Sequence, residues 1–139
     1  AGFGQEGKRR MLTGAYTLSV GYCDAYYLKA QKIRRLIAQD FTNVFAEVDL
    51  VLAPTAPTPA FKKNQLTDDP VAMYQQDLYT VPTSLAGLPA MSVPCGFSQG
   101  LPMGMQLIAP AFREDLPLML AAQFQRHTDW HRRRPGDAS

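Results

Sequence analysis

Cysteine is scarce in this 139-residue chain: Cys23 and Cys95 stand alone, with no CxxC pair and no second cluster. A secreted disulfide framework or a zinc site needs more, so both read as reduced thiols of a cytoplasmic protein. Net charge is only +2, too little for the whole-molecule field to argue for nucleic acid. No apolar run approaches the roughly 18 residues of a membrane helix. The opening A-G-F-G-Q-E-G-K-R-R lacks the basic-then-apolar profile of a signal peptide. Internal repeats and low-complexity tracts are absent. Ser19, Ser84, Ser92, Ser98 and Ser139 lie outside any G-x-S-x-G or S-x-x-K motif, so none announces itself as a nucleophile.

What remains is an ordinary globular composition, 46% hydrophobic and 19% charged, long enough to bury a core. Residues 80–110 are the most informative stretch, because they concentrate glycine and proline yet stay as apolar as a core. Flexible linkers avoid Met, Val, Leu and Ile. Here Gly and Pro punctuate short buried elements instead.

Along the chain, residues 6–16 read as a short helix that is basic at Lys8, Arg9 and Arg10. Tyr22, Tyr26, Ala30, Ile33, Ile37, Phe41, Val44 and Val48 recur at steps of four and three, which predicts one long amphipathic helix over 22–48. Leu50-Val51-Leu52-Ala53, closed by Pro54, predicts a strand covered on both faces, as in an α/β sheet. Asp69-Pro70 predicts a capped helix over 70–79. A further helix is expected over 80–88, with Pro82 in its first turn, Gly87 at its C-cap and Pro89 beyond. Alternation over 90–97, a turn at 98–100 and apolar residues 103–109 predict a β-hairpin, with Pro94 at an edge or a local break. A last helix is expected over 114–130, with Leu116, Leu120, Ala121 and Phe124 as its apolar side, and residues 135–139 as a frayed tail. Few strands are available for a complete sheet. The economical expectation is one segment, residues 1–134, of a larger α/β domain.

The chemistry-bearing residues have competing readings. Cys95 in an apolar strand suits a core or site-lining role, since burial makes a thiol inert. His127 and His131, four apart, could share a helix face, but the Glu of H-E-x-x-H and a third ligand are missing, so no metal is expected. With Arg126, Arg132, Arg133 and Arg134 they make a basic cluster that suits a helix C-terminus, or phosphate contacts in a small RNA-binding module. Asp68 and Asp69 are a metal pair by charge alone, and capping accounts for Asp69 without an ion. Within Lys8-Arg9-Arg10 a guanidinium could fork onto a substrate carboxylate, and Asp77 could hold a substrate ammonium. Sequence spacing does not show that the two meet.

Several runs resemble one known family. G-F-G-Q-E-G-K-R-R-M-L-T-G-A-Y, D-A-Y-Y-L-K-A-Q-K-I-R-R, D-L-V-L-A-P-T-A-P-T-P-A-F, D-D-P-V-A-M-Y-Q-Q-D, S-L-A-G-L-P-A-M-S-V-P-C-G-F and G-L-P-M-G-M-Q-L-I-A-P stand in the order found in amidase-signature enzymes. They are most similar to the C-terminal third of the A subunits of glutamyl-tRNA(Gln) amidotransferases. Gly7, Cys23 and Ser84 depart mildly from that pattern.

The resemblance implies an α/β/α fold with a mixed sheet flanked by helices, of which this chain holds few strands. It implies glutamine hydrolysis by a Ser–cis-Ser–Lys triad upstream of residue 1, so no catalytic residue is expected here and the chain alone is expected to be inactive. Ammonia would pass to the B subunit, which uses ATP and Mg to amidate Glu-tRNA(Gln). The B and C subunits would be partners, tRNA would be held mainly through B, and no cofactor would be bound by this segment. Arg10 would take the α-carboxylate of glutamine and Asp77 its amino group. Another amidase-signature hydrolase with a different amide substrate, and the RNA-binding module, remain as alternatives. Apolar surface left uncovered would favour self-association.

Overall fold

The computed structural model describes residues 2–19, 22–63 and 70–134, with only the backbone described at 23, 24 and 70. The chain divides into two compact units, Ala1–Ile37 and Ala38–Ser139.

In the first unit, helix α1 (Gln5–Thr17) opens at Gly4, which offers no side-chain cap. Glu6 offsets this. It places a carboxylate in the first turn, where the helix dipole favours it, and pairs with Arg9 and with Arg10 Nε, the latter at 2.9 Å. The uniform α-helix expected over 22–48 is corrected at both ends. Cys23–Leu28 winds as a π-helix, and α2 covers only Lys29–Val44. Steps of four in an apolar stripe are compatible with either winding, so periodicity alone did not separate them. Tyr16, Tyr22 and Tyr26 pack ring to ring beside the π-turn, with centroids 4.5 and 5.7 Å apart. At the far end, Ala46 and Glu47 donate to the carbonyls of Asn43 and Val44, three-residue bonds that close the helix into a turn. None of α2's residues is buried.

The second unit is built on a three-stranded antiparallel sheet, which together with the helices gives an α/β architecture. Strands β1 (Val51–Pro54), β2 (Ala90–Ser98) and β3 (Leu101–Ile108) lie in the order β1-β3-β2. Gln99 (φ 53°) and Gly100 (φ 77°) both take left-handed backbone between β2 and β3, the geometry of a two-residue hairpin turn matched to strand twist. Pro94 lies on the outer strand β2, and the register shifts between Pro94 and Gly96, so it is both at an edge and beside a bulge. The expectation that β1 is covered on both faces is overturned. It is an edge strand whose Leu52 is 62% exposed, with burial alternating along it. A continuous apolar run of four residues cannot report which strand lies in the middle. That is β3, which pairs with both neighbours.

On one face of the sheet, Val93, Leu107 and Ala121 form the buried core, with Leu50, Met91, Met105 and Phe124 packed against it. Ala121 and Phe124 come from α5 (Asp115–His127). This helix is shorter than expected. Thr128 turns extended, its hydroxyl donating to Phe124 O at 2.9 Å, and Trp130–Arg132 forms a separate 3-10 turn.

At the start of α5, Arg113 holds Asp115 through two bonds of 2.9 and 3.0 Å. These bonds lower the carboxyl below its ordinary range. A depressed folded-state value means the contribution is present above the unfolded carboxylate range and is lost as pH falls through the depressed value. The stability difference between wild type and Asp115→Asn should therefore be measurable by urea unfolding near neutral pH and vanish on acidification. The pair is exposed, so the difference will be small.

Two short helices precede the hairpin. α3 (Pro70–Gln75) ends earlier than expected, and residues 76–80 form a turn. Asp69, its expected cap, lies outside the described residues, as does Asp68. α4 (Val81–Ala86) is shorter than the 80–88 expected, but Pro82 does sit in its first turn and Gly87, with φ 73°, is its C-cap.

Candidate functional site

The face of the sheet opposite α5 carries a different kind of surface. β1 and β2 both run antiparallel to β3, and the loop leaving β1 is bonded through Thr55 to Ser92 of β2. A cavity of about 350 Å³ lies there. Thr55 and Thr58 come from the loop after β1, Gln76 from the turn after α3, Ser92 from β2 and Gly104 from β3. Among the described residues, no charged side chain lines it.

Three contacts shape this cavity. The Thr55 and Ser92 hydroxyls are bonded to each other at 2.7 Å, bridging from one outer strand to the other above β3. They meet because residue 104 is glycine. A Cβ there would stand 2.8 Å from both hydroxyl oxygens. The Thr55 N–H also donates to Gly104 O at 3.0 Å, tying the loop to the sheet. Across the cavity the Thr58 hydroxyl donates to Gln76 Oε1 at 3.1 Å.

Asp77 follows Gln76 directly. Its carbonyl accepts from Thr80 N–H at 3.1 Å, Thr80 Oγ1 at 3.2 Å and Val81 N–H at 3.0 Å. The backbone of Asp77 thus starts α4, while its side chain stays exposed. The turn is anchored from below, where buried Gln106 donates through Nε2 to Tyr79 O at 3.0 Å.

Arg10 belongs to the first unit, on the exposed side of α1, where Glu6 is shared between it and Arg9. Cys95 is half-buried on β2, its thiol 3.5 Å from Met103 O. His127 ends α5 and His131 sits in the 3-10 turn, so the two do not share a helix face. The extended Thr128 between them breaks the expected register. Among the described residues no three of His, Cys, Asp and Glu gather as a metal would require. In the basic C-terminal cluster, Arg133 pairs with Asp129 at 2.8 Å and lies over Trp130, whose ring meets Phe97 edge-on at 5.9 Å. No helix among the described residues is long and apolar enough to cross a membrane.

Sequence reading singled out none of Thr55, Gln76, Ser92 and Gly104 as site residues. One signal was available. A glycine inside a strand pattern marks a bulge or a close approach, and Gly104 sits in the largely apolar L-P-M-G-M-Q-L-I.

Comparison with known proteins gives the family of the chain. The family model described as Amidase matches residues 1–118. The A subunit of a glutamyl-tRNA(Gln) amidotransferase from Gloeothece citriformis is 58% identical over 136 residues, 97% of this chain and 28% of that protein. The same protein from Thiobacillus denitrificans is 61% identical over 135 residues, 96% of this chain and again 28% of the relative. The chain thus spans little more than a quarter of these relatives, matching their C-terminal portion. Among solved structures, the glutamyl-tRNA(Gln) amidotransferase A subunit from Thermotoga maritima superposes with a TM-score of 0.74 at 41% identity, covering 92% of this chain and 28% of that one. A 6-aminohexanoate cyclic dimer hydrolase superposes equally well, with a TM-score of 0.74 at 25% identity, covering 94% and 29%.

Proposed function

The chain belongs to the amidase family, and from that premise we propose that it forms the substrate-reading wall of the glutamine-hydrolysing component of a tRNA-dependent amidotransferase. The observation that carries this reading is the similarity to amidotransferase A subunits over nearly the whole chain. Arg10 forks onto the α-carboxylate of glutamine with two charge-assisted bonds. Asp77, on a turn whose backbone is fixed by Thr80 and Val81, receives the ammonium. A serine from outside these 139 residues, activated by a bridging serine and a lysine, attacks the carboxamide carbon. The C–N bond breaks, ammonia leaves, and water releases glutamate from the acyl-enzyme. The ammonia serves ATP-dependent conversion of Glu-tRNA(Gln) to Gln-tRNA(Gln) on the B subunit, in a cytoplasmic complex that also contains the C subunit. On this reading the isolated chain is inactive and self-associates through exposed apolar side chains such as Leu36, Leu52 and Leu118.

The superposition on a cyclic-amide hydrolase supports a second reading, in which the wall reads another amide. One experiment separates the two. The chain is joined to the upstream region of one of its amidotransferase relatives, and ammonia release is measured from glutamine and from other amides. Glutamine should be preferred, and Arg10→Ala or Asp77→Ala should each lower kcat/KM by about 10- to 100-fold, the loss of a hydrogen bond to a charged group. Unchanged turnover of glutamine in both variants would remove them from the site.

A further inference from the structure

We propose that Gln106 is a positioning residue for substrate recognition: its buried side-chain amide seats the turn that carries Asp77, and so sets the preference for amides bearing an α-ammonium. The proposal rests on the reading of Asp77 above and adds to it what fixes that carboxylate in place.

Gln106 stands out by its chemistry. It lies on the central strand β3, opposite Ala53 of β1 and Ser92 of β2, and only 4% of it is exposed. A position that only needed packing would take leucine or methionine, because burying an amide is costly unless its hydrogen bonds are made. Strand alternation sends Leu107 to the side of α5 and Gln106 to the other side, that of the 76–80 turn. There Nε2 donates to Tyr79 O at 3.0 Å, 27 residues back along the chain. A buried amide satisfied in this way fixes one arrangement of the elements it joins.

The other half of the linkage is the turn itself. Asp77 O accepts from Thr80 N–H at 3.1 Å, from Thr80 Oγ1 at 3.2 Å and from Val81 N–H at 3.0 Å. Residues 77–81 are thereby closed into a small ring, and Tyr79 lies within it. Gln106 pins this ring to the one strand that is paired on both sides. A second tie, from the Thr58 hydroxyl to Gln76 Oε1 at 3.1 Å, is exposed and competes with water, so it holds the turn weakly. Without the Gln106 bond the ring keeps its shape but loses its place on the sheet, and the Asp77 carboxylate moves with it. A ligand that needs that carboxylate then binds only the fraction of molecules in which the turn is seated. A ligand with no ammonium is indifferent to the change.

The test uses the protein joined to the upstream region as above and two substrates, glutamine and glutaramate, the same chain without its amino group. Gln106→Met keeps the length of the side chain and removes the donor. It should raise KM for glutamine by about tenfold, the population effect of losing one buried bond, with kcat nearly unchanged. KM for glutaramate should stay as it was. A merely structural role would impair both amides alike, and that result overturns the proposal, as does an unchanged KM for glutamine. In the Asp77→Ala background Gln106→Met should add no further loss, because the carboxylate it positions is gone. Should Gln106→Met fold poorly, Gln106→Leu gives the same comparison, and the wild-type protein gives another. Its Gln106 side-chain amide protons should exchange slowly with solvent, and exchange at the rate of an exposed glutamine overturns the proposal. The two readings fail differently. If Asp77→Ala leaves the preference for glutamine over glutaramate intact, the ammonium assignment falls and the role of Gln106 with it. If Asp77→Ala removes that preference and Gln106→Met does not, only the positioning role falls. If neither amide is turned over, both fall.

Discussion

Leu107→Ala should cost about 3 kcal/mol of folding stability, within the range of roughly 2–5 for a fully enclosed leucine. Leu107 is 0% exposed on the central strand, and it shares one buried cluster with Val93 on β2 and Ala121 on α5. Removing three carbons there deletes the contacts that join sheet to helix, and it leaves a cavity that neither neighbour can fill. Val93 is fixed by its strand and Ala121 has no reach. A domain whose total stability is of order 5–15 kcal/mol would lose a large fraction of it. Urea unfolding followed by circular dichroism measures the loss directly. Leu118→Ala is the matched control, because Leu118 is 60% exposed on α5 and should shift stability by less than about 0.5 kcal/mol. Equal effects at the two positions would mean that α5 does not pack through Ala121.

Gly104→Val should be nearly as damaging, by about 2–3 kcal/mol, for the opposite reason: too many atoms rather than too few. The first added carbon would stand 2.8 Å from the Thr55 and Ser92 hydroxyl oxygens and 3.1 Å from Thr55 Cβ. The strand cannot retreat, since β3 is paired on both sides, and Thr55 cannot leave without breaking its N–H bond to Gly104 O. Gly104→Ala should be milder. The cause can be separated from strand propensity with a double mutant. Thr55→Ala removes one of the two clashing groups, so it should cost less in the Gly104→Ala background than in wild type. Additive effects would show that the crowding lies elsewhere. Chemical denaturation of the four proteins closes the cycle.

The ends of elements were legible where a single residue dictates the backbone. Gly87 closes α4 because left-handed backbone is open to glycine, Pro82 sits in a first turn where its missing N–H costs nothing, and Gln99-Gly100 turns the hairpin. Extents were less legible where neighbours decide. The 22–48 helix was expected whole, yet winding changed beside the tyrosines and the C-terminus closed at Val44. The final helix was expected to run to Trp130, and Thr128 ended it just after His127. In each case the apolar spacing stayed consistent with more than one backbone path, and packing chose between them.

The candidate site divides along the same line. Asp77 and Arg10 could be singled out from the chain alone, because charge type and motif are properties of residues in order. Thr55, Gln76, Ser92 and Gly104 could not, because their meaning comes from being brought together by strand pairing across long stretches of chain. By itself the sequence determined composition class, helix caps, hairpin turn, α/β character and family resemblance, all of which depend on local backbone preference or residue order. The tertiary structure alone decided that β3 is central and β1 an edge, and that two hydroxyls meet over a glycine in a cavity lined by uncharged groups. Those depend on register, and register places residues opposite one another that nothing in the linear order connects.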